Sequence, residues 1–199
     1  MANEQRTATV ERTTRETSIR LTLSLEGRGR GEIATPVGFL NHMLELFARH
    51  GRFDLSVQAS GDVAVDAHHT VEDVGIVLGQ AFIRALGDKK GIVRFADARV
   101  PMQDSLAAVA VDVSGRPELV YNAAYPAQKI GEFDVELVEE FLRAFCNNAL
   151  LTLHVDVVRG SNSHHIAEAI FKATARALRQ AAAIDPQAAG EVPSTKGRL

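Results

Sequence analysis

Two copies of one pentad constrain what this chain can fold into. His68-His69-Thr70-Val71-Glu72 and His164-His165-Ile166-Ala167-Glu168 hold four of its seven histidines, and each opens an apolar stretch with helical spacing. The residues around the pentads repeat as well. His42 precedes Phe47 by five residues, Leu55 by thirteen and Val57 by fifteen, and Glu140 precedes Phe145, Leu153 and Val155 by the same intervals. From Val57 to the first histidine pair is eleven residues and from Val155 to the second is nine, so the loop before each motif absorbs the difference. Self-similarity of this kind marks a duplicated structural unit.

Hydrophobic periodicity supplies the content of the unit. Ile19, Leu21, Leu23 and Leu25 alternate with polar residues, which predicts a strand over residues 18–26. TATVERT before it and RGEIAT after it read as further strands, the second reached through a turn over residues 27–31. Leu40, Met43, Leu44 and Phe47 recur at threes and fours, predicting a helix over 38–49 that Gly51 stops. FDLSVQA reads as a strand, and HHTVEDVGIVLGQAFIRAL as a helix with Val71, Val74, Leu78, Phe82 and Leu86 on one face.

The second half runs in the same order. IVRFADARVPM, SLAAVAVDV and ELVYNAAY are strands, the last two joined by a turn over 114–117. DVELVEEFLRAFCNNA is a helix, LLTLHVDVV a strand and HHIAEAIFKATARALRQAAA the last helix. The expected fold class is α+β, an internal duplication of a β-β-β-α-β-α unit, with the first repeat over 1–90, the second over 91–187 and a tail over 188–199.

Composition narrows the class. With 46% hydrophobic and 24% charged residues over 199 positions, the chain has the usage of an ordinary folded protein. A net charge of -3 leaves no electrostatic footprint for nucleic acid or an anionic membrane. There is no apolar run of about 18 residues and no apolar core in the first residues, MANEQRTATVERTT, so a cytoplasmic protein is expected. The single Cys146 excludes an intrachain disulfide, and its apolar setting in FLRAFC predicts a buried thiol.

Residues four apart on a helix share a face, so His68 converges with Glu72 and His164 with Glu168. Consecutive side chains diverge by about 100°, so His69 and His165 address a different ion. If the halves are pseudo-symmetric, His42 corresponds to Glu140, and two sites follow. One takes His42, His69, His164 and Glu168; the other takes Glu140, His165, His68 and Glu72. The second holds two carboxylates instead of one and is expected to be the harder, more anionic site. Two geometries stay open: a closed tetrahedral zinc site, or four corners of an octahedron with places for water and substrate, which favours manganese or a similar first-row ion.

The order of motifs carries further information. GFLNHMLELFARHGRFDL, then DAHHTVEDVG, then SNSHHIAEAIFKA, with RETSIRL near the start and a Ser-Thr-Lys tail, closely resembles the imidazoleglycerol-phosphate dehydratase family of histidine biosynthesis, across about residues 6 to 197. The resemblance implies a metal-dependent carbon-oxygen lyase with two Mn2+ per active site, converting imidazoleglycerol phosphate to imidazole acetol phosphate and water. It implies a four-stranded sheet backed by two helices in each half, and assembly into a 24-subunit shell with metal sites between subunits. Many members carry a histidine ligand where this chain has Glu140.

In that reaction the carbon that loses its proton is not next to a carbonyl, so the imidazole ring must serve as the electron reservoir, through an imidazolate and a diazafulvene. The resemblance assigns Glu16 to substrate contact and proton transfer, with Glu72 and Glu168 serving catalysis from the metal centre. A positioned carboxylate acid or base typically adds about 10² to 10⁴ in rate. Arg94, Arg116 and Lys172 match family substrate or phosphate contacts, Ser194 with Lys196 matches a C-terminal Ser-x-Lys segment, and Arg49 and His50 fall in a substrate-contacting segment. Lys172 lies four residues beyond Glu168, on the same helix face. His154, in a strand register, reads as structural. No role follows for Asp73, Gln103 or Asp104.

Three functions compete on these residues. A dehydratase needs the anion-binding side chains together with the metals, a binuclear hydrolase needs a metal-bound water aimed at a scissile bond, and a storage shell needs only the ligands.

Overall fold

The computed structural model describes residues 6–188, 190–197 and 199; the first five residues of the first repeat, and residues 189 and 198 of the tail, lie outside it. The first half contains β1 (Thr7–Thr13), β2 (Thr17–Ser24), β3 (Gly31–Ala34), α1 (Gly38–Gly51), β4 (Asp54–Gly61) and α2 (His68–Leu86). The second contains β5 (Phe95–Met102), β6 (Ser105–Asp112), β7 (Glu118–Asn122), a short hairpin of β8 (Lys129–Ile130) and β9 (Phe133–Asp134), then α3 (Glu136–Ala149), β10 (Thr152–Arg159) and α4 (Ser163–Ala182). The β-β-β-α-β-α order occurs twice, and the β8–β9 hairpin is an insertion that the periodicity did not foretell.

Each half forms a four-stranded sheet with the same topology, β1-β2-β4-β3 and β5-β6-β10-β7. The last strand of each half enters between the second and third. It runs antiparallel to one neighbour and parallel to the other. The turns over 27–31 and 114–117 therefore do not close hairpins; each carries the chain across the place that β4 or β10 fills. Ile19, Leu21 and Leu23 of β2 are buried, as their alternation requires, and face the helices.

The helices lie between the sheets and pair across the halves. α2 covers β1 and β2, and α4 covers β5 and β6, while α1 packs on α4 and α2 on α3. The α2–α3 contact is close because Gly75 and Gly79 have no side chain: a Cβ there would stand 2.7 Å from the Phe141 carbonyl oxygen and 2.6 Å from that of Phe145. Phe47, Phe82 and Phe145 meet in one core that spans both halves, with ring centroids 6.3 Å apart for Phe47–Phe145 and 5.8 Å for Phe82–Phe145. Burying a side chain of this kind contributes about 1.5–3 kcal/mol.

Gly51 does not stop the first helix. It is the last helical residue, and the left-handed cap is Arg52 at φ 57°. Gly51 is small because a Cβ would meet the Phe53 ring at 2.4 Å. Cys146 is buried, and burial pushes its thiol up to about 12.

Candidate metal centre and substrate cleft

The cross-half helix pairing positions the first group of ligands. α1 presents His42 to the first turns of α4, where His164 and Glu168 share a face. His42 Nε2 lies 2.8 Å and His164 Nε2 3.0 Å from the same oxygen, Glu168 Oε1. These three residues offer ligand atoms all within 4.8 Å of one another. Two donors about 2.1 Å from a common ion and at right angles to each other lie about 3.0 Å apart, so the spacing fits one divalent first-row ion. The mixed imidazole and carboxylate donors fit it chemically as well.

The Glu168 carboxylate is 8% exposed, whereas the two imidazoles are about 40% exposed. Burial works to raise its pKa, but hydrogen bonds from Lys172, His42 and His164 prevail and hold it at about 2. Lys172 Nζ donates to Glu168 Oε2 at 2.5 Å and also reaches Met102 Sδ. His50 is held below its ordinary value by burial and by the nearby charges of Lys172 and Arg176.

Aromatic rings brace the histidine. Phe39 meets the His164 ring edge-on at 5.3 Å and Phe133 of the inserted hairpin at 4.9 Å. These three rings, with His42, Ile130 and the exposed Val63 and Val65, line a cavity of about 840 Å³ beside the ligands. The α4 end is fixed by Asn162, whose side chain accepts from His164 N at 2.9 Å and His165 N at 3.2 Å.

The predicted four-ligand sets do not close within one chain. His69 sits apart from His42, in a separate group with Glu16 and Asp62. Its Nδ1 lies 3.0 Å from Asp62 Oδ2 and 3.9 Å from Glu16 Oε2, and the bond to Asp62 raises its pKa. The divergence of consecutive helical side chains, together with α2 packing on α3 instead of α4, separates it from the first group. His165 likewise turns away from His164, and its Nδ1 lies 2.5 Å from Asp104 Oδ1. Asp104 is held below the usual carboxylate range by that bond and by bonds from Ser161.

His68 and Glu72 on α2, with Glu140 on α3, occupy the places equivalent to His164, Glu168 and His42. Among the described residues they do not form a second convergent group. In the first group two imidazoles meet one carboxylate, whereas this set holds two carboxylates and one imidazole, and like charges disfavour the approach of the two carboxylates.

Four of the expected substrate contacts do come together. Arg94, Arg116, Ser194 and Lys196 line one cleft of about 450 Å³ with Ser114, Gly115, Thr195 and Leu199. The tail reaches it by folding back: Gly91 N donates to Glu191 O, and Arg94 Nη1 to Pro193 O. Arg94 is braced by Asp112 at 2.8 Å. Lys172 is not part of this cleft but stands at the metal group, with Arg49 and His50 at the end of α1.

Asp62, Phe39 and Phe133 were not singled out by the sequence, and Asp104 was named there without a role. Asp104 alone carried a usable signal, as an acidic residue at the tip between two predicted strands.

A profile of the imidazoleglycerol-phosphate dehydratase family matches residues 35–178. Imidazoleglycerol-phosphate dehydratase of Azorhizobium caulinodans is 60% identical over 194 residues, covering 98% of each chain. That of Geobacter metallireducens is also 60% identical, covering 98% of this chain and 99% of its own. Among solved structures, the enzyme of Staphylococcus aureus superimposes with a TM-score of 0.82 at 45% identity, covering 90% of this chain and 99% of its own. That of Pyrococcus furiosus, in complex with (S)-C348, gives 0.80 at 35% identity, covering 96% and 100%. The chain belongs to the imidazoleglycerol-phosphate dehydratase family and is a dehydratase, a hydro-lyase, of histidine biosynthesis.

Proposed function

We propose that the chain acts as a cytoplasmic, manganese-dependent enzyme that dehydrates imidazoleglycerol phosphate to imidazole acetol phosphate, with two Mn2+ per active site. The observation that carries this reading is the convergence of His42, His164 and Glu168 on one ion-sized space. The cleft of Arg94, Arg116, Ser194 and Lys196 supplies what a storage shell does not need, a place for a phosphate.

When bound, divalent manganese supplies Lewis acidity and a template that favours the imidazolate form of the substrate ring. The protein does the rest. His42, His164 and Glu168 would hold one ion and His68, Glu72 and Glu140 the other, with His69 and His165 of neighbouring copies of the chain completing the two sites. Arg94, Arg116, Ser194 and Lys196 grip the phosphate, Arg116 with a planar fork suited to it. Lys172, Arg49 and His50 contribute further substrate contacts. The ring-adjacent hydroxyl takes up a proton and leaves as water to give a diazafulvene, Glu16 removes the proton from the next carbon, and the resulting enol becomes the ketone. Separation of His69 and His165 from the other ligands supports sites shared between subunits, as a 24-subunit shell provides.

The test is anaerobic turnover of imidazoleglycerol phosphate by chelated protein before and after manganese is restored. Activity that returns with manganese and yields imidazole acetol phosphate supports the reading; activity unchanged by chelation sinks its metal dependence.

A further inference from the structure

Each second histidine is gripped by a carboxylate, and the two carboxylates do not occupy equivalent places in the repeat. Leu23 pairs with Leu55 in one sheet and Val111 with Leu153 in the other. Counting back six residues from Leu23 and from Val111 matches Thr17 to Ser105, and so Glu16 to Asp104. Asp104 is fully committed. It accepts from His165 Nδ1 at 2.5 Å, Ser161 N at 2.7 Å, Ser161 Oγ at 3.0 Å and Asn162 N at 3.1 Å.

Glu16, its counterpart, is not committed. Its backbone is fixed, by Glu16 N donating to Thr14 Oγ1 and Asp62 N donating to Glu16 O, each at 3.1 Å. Its neighbour Thr17 is tied to the buried Asp73. The Glu16 carboxylate, however, is 54% exposed, and its ion-pair partner His69 stands 3.9 Å away. Asp62 holds His69 instead, from a place whose counterpart in the other half carries no carboxylate. β10 carries a bulge between Val157 and Arg159, so Gly61, beside Thr17 and Thr70, matches Gly160, beside Ser105 and Ile166, and Asp62 matches Ser161, whose N and Oγ donate to Asp104.

We infer that Asp62 is a positioning residue that sets Glu16 free. By accepting the Nδ1 proton of His69 it leaves Nε2 as the lone pair offered to an ion, and it spares Glu16 the task that Asp104 performs in the other half. Glu16 then has a fixed backbone and an uncommitted carboxylate, as proton transfer to and from substrate requires. Without Asp62, His69 Nδ1–H turns to Glu16, the other carboxylate in its group. The inference rests on the proposed roles of Glu16 and His69.

The test uses the full chain with Asp62→Ala, Asp62→Ser, Asp62→Asn, Glu16→Gln and the double variant Asp62→Ala/Glu16→Gln. Mn2+ affinity is read by electron paramagnetic resonance titration after chelation, and kcat and KM are read at saturating Mn2+. Outer partners of ligating histidines are typically worth about 10- to 100-fold. Asp62→Ala and Asp62→Ser are expected to weaken Mn2+ binding by about that factor. At saturating metal they should lower kcat about tenfold or more, with KM little changed. Asp62→Asn keeps an acceptor oxygen and should recover most of both, and in the Glu16→Gln background Asp62→Ala should lower kcat no further. Unchanged Mn2+ affinity or unchanged kcat in both Asp62→Ala and Asp62→Ser, with Glu16→Gln inactive, overturns the inference alone. A normally active Glu16→Gln overturns the reading of Glu16 and the inference with it.

Discussion

Lys172 and Glu168, one turn apart on α4, divide a single carboxylate between two tasks. Lys172 Nζ donates to Oε2 at 2.5 Å, while Oε1 faces His42 and His164. One oxygen is thus anchored to a cation of the chain, and the other is left toward the imidazoles.

That arrangement makes stability depend on acid. Glu168 is held at about 2 against an ordinary 4.5. A carboxyl depressed in the folded state contributes fully above its unfolded value and loses the contribution as pH falls through the folded one. Metal-free protein is expected to lose stability as pH falls from about 4.5 to about 2. Urea midpoints across that window should fall less steeply for Glu168→Gln than for the parent, and equal slopes count against the assignment.

Metal content distinguishes the two sites. His42→Ala is expected to lose one of two bound Mn2+ per chain, and Glu140→Ala the other, since their helices address different groups. Elemental analysis after dialysis reads this directly, and full occupancy in both variants contradicts the two-site scheme.

Arg116→Ala should raise KM with kcat largely retained, because a phosphate remote from the reacting carbons is held equally in the ground and transition states. Loss of a charged hydrogen bond costs about 1.5–3 kcal/mol, or roughly 10- to 100-fold in KM. Steady-state kinetics with saturating manganese checks the split; a fall in kcat alone would place Arg116 elsewhere in the mechanism.

Gly79→Ala probes the helix pairing. Helix propensity favours alanine by about 0.8–1.0 kcal/mol. Against this, the new Cβ would stand 2.6 Å from Phe145 O and 2.9 Å from Ala149 N, both backbone atoms that cannot rotate away. The clash should win by roughly 1–2 kcal/mol. Urea unfolding measures it, and a stabilised variant would mean that α2 and α3 separate easily.

The repeat was legible because the intervals from His42 and Glu140 to their apolar partners survived in both halves, and apolar side chains in a packed core tolerate little change. The same intervals made the meeting of His42 with His164 and Glu168 legible. Strand order was not, since β4 and β10 insert between strands that are neighbours in sequence. Asp62 was invisible for a related reason. Its counterpart across the β10 bulge is Ser161, which has no carboxylate, so the repeat carries no trace of it, and its contact with His69 is made in space between a strand end and a helix start. Gly51 misled because a small residue near a helix end suggests a stop, whereas here the neighbouring Phe53 ring excludes a side chain.

The pairing of α1 with α4 and α2 with α3 means that each half shelters the other's helices. That is the arrangement of a two-fold dimer whose subunits have been joined end to end. Cutting such a chain near residue 90 should yield two pieces that seek each other, and neither piece alone can bring an imidazole from one repeat to a carboxylate of the other. Joining the pieces also freed the two copies to diverge, so one chain can carry histidine at a position where its own second copy carries glutamate.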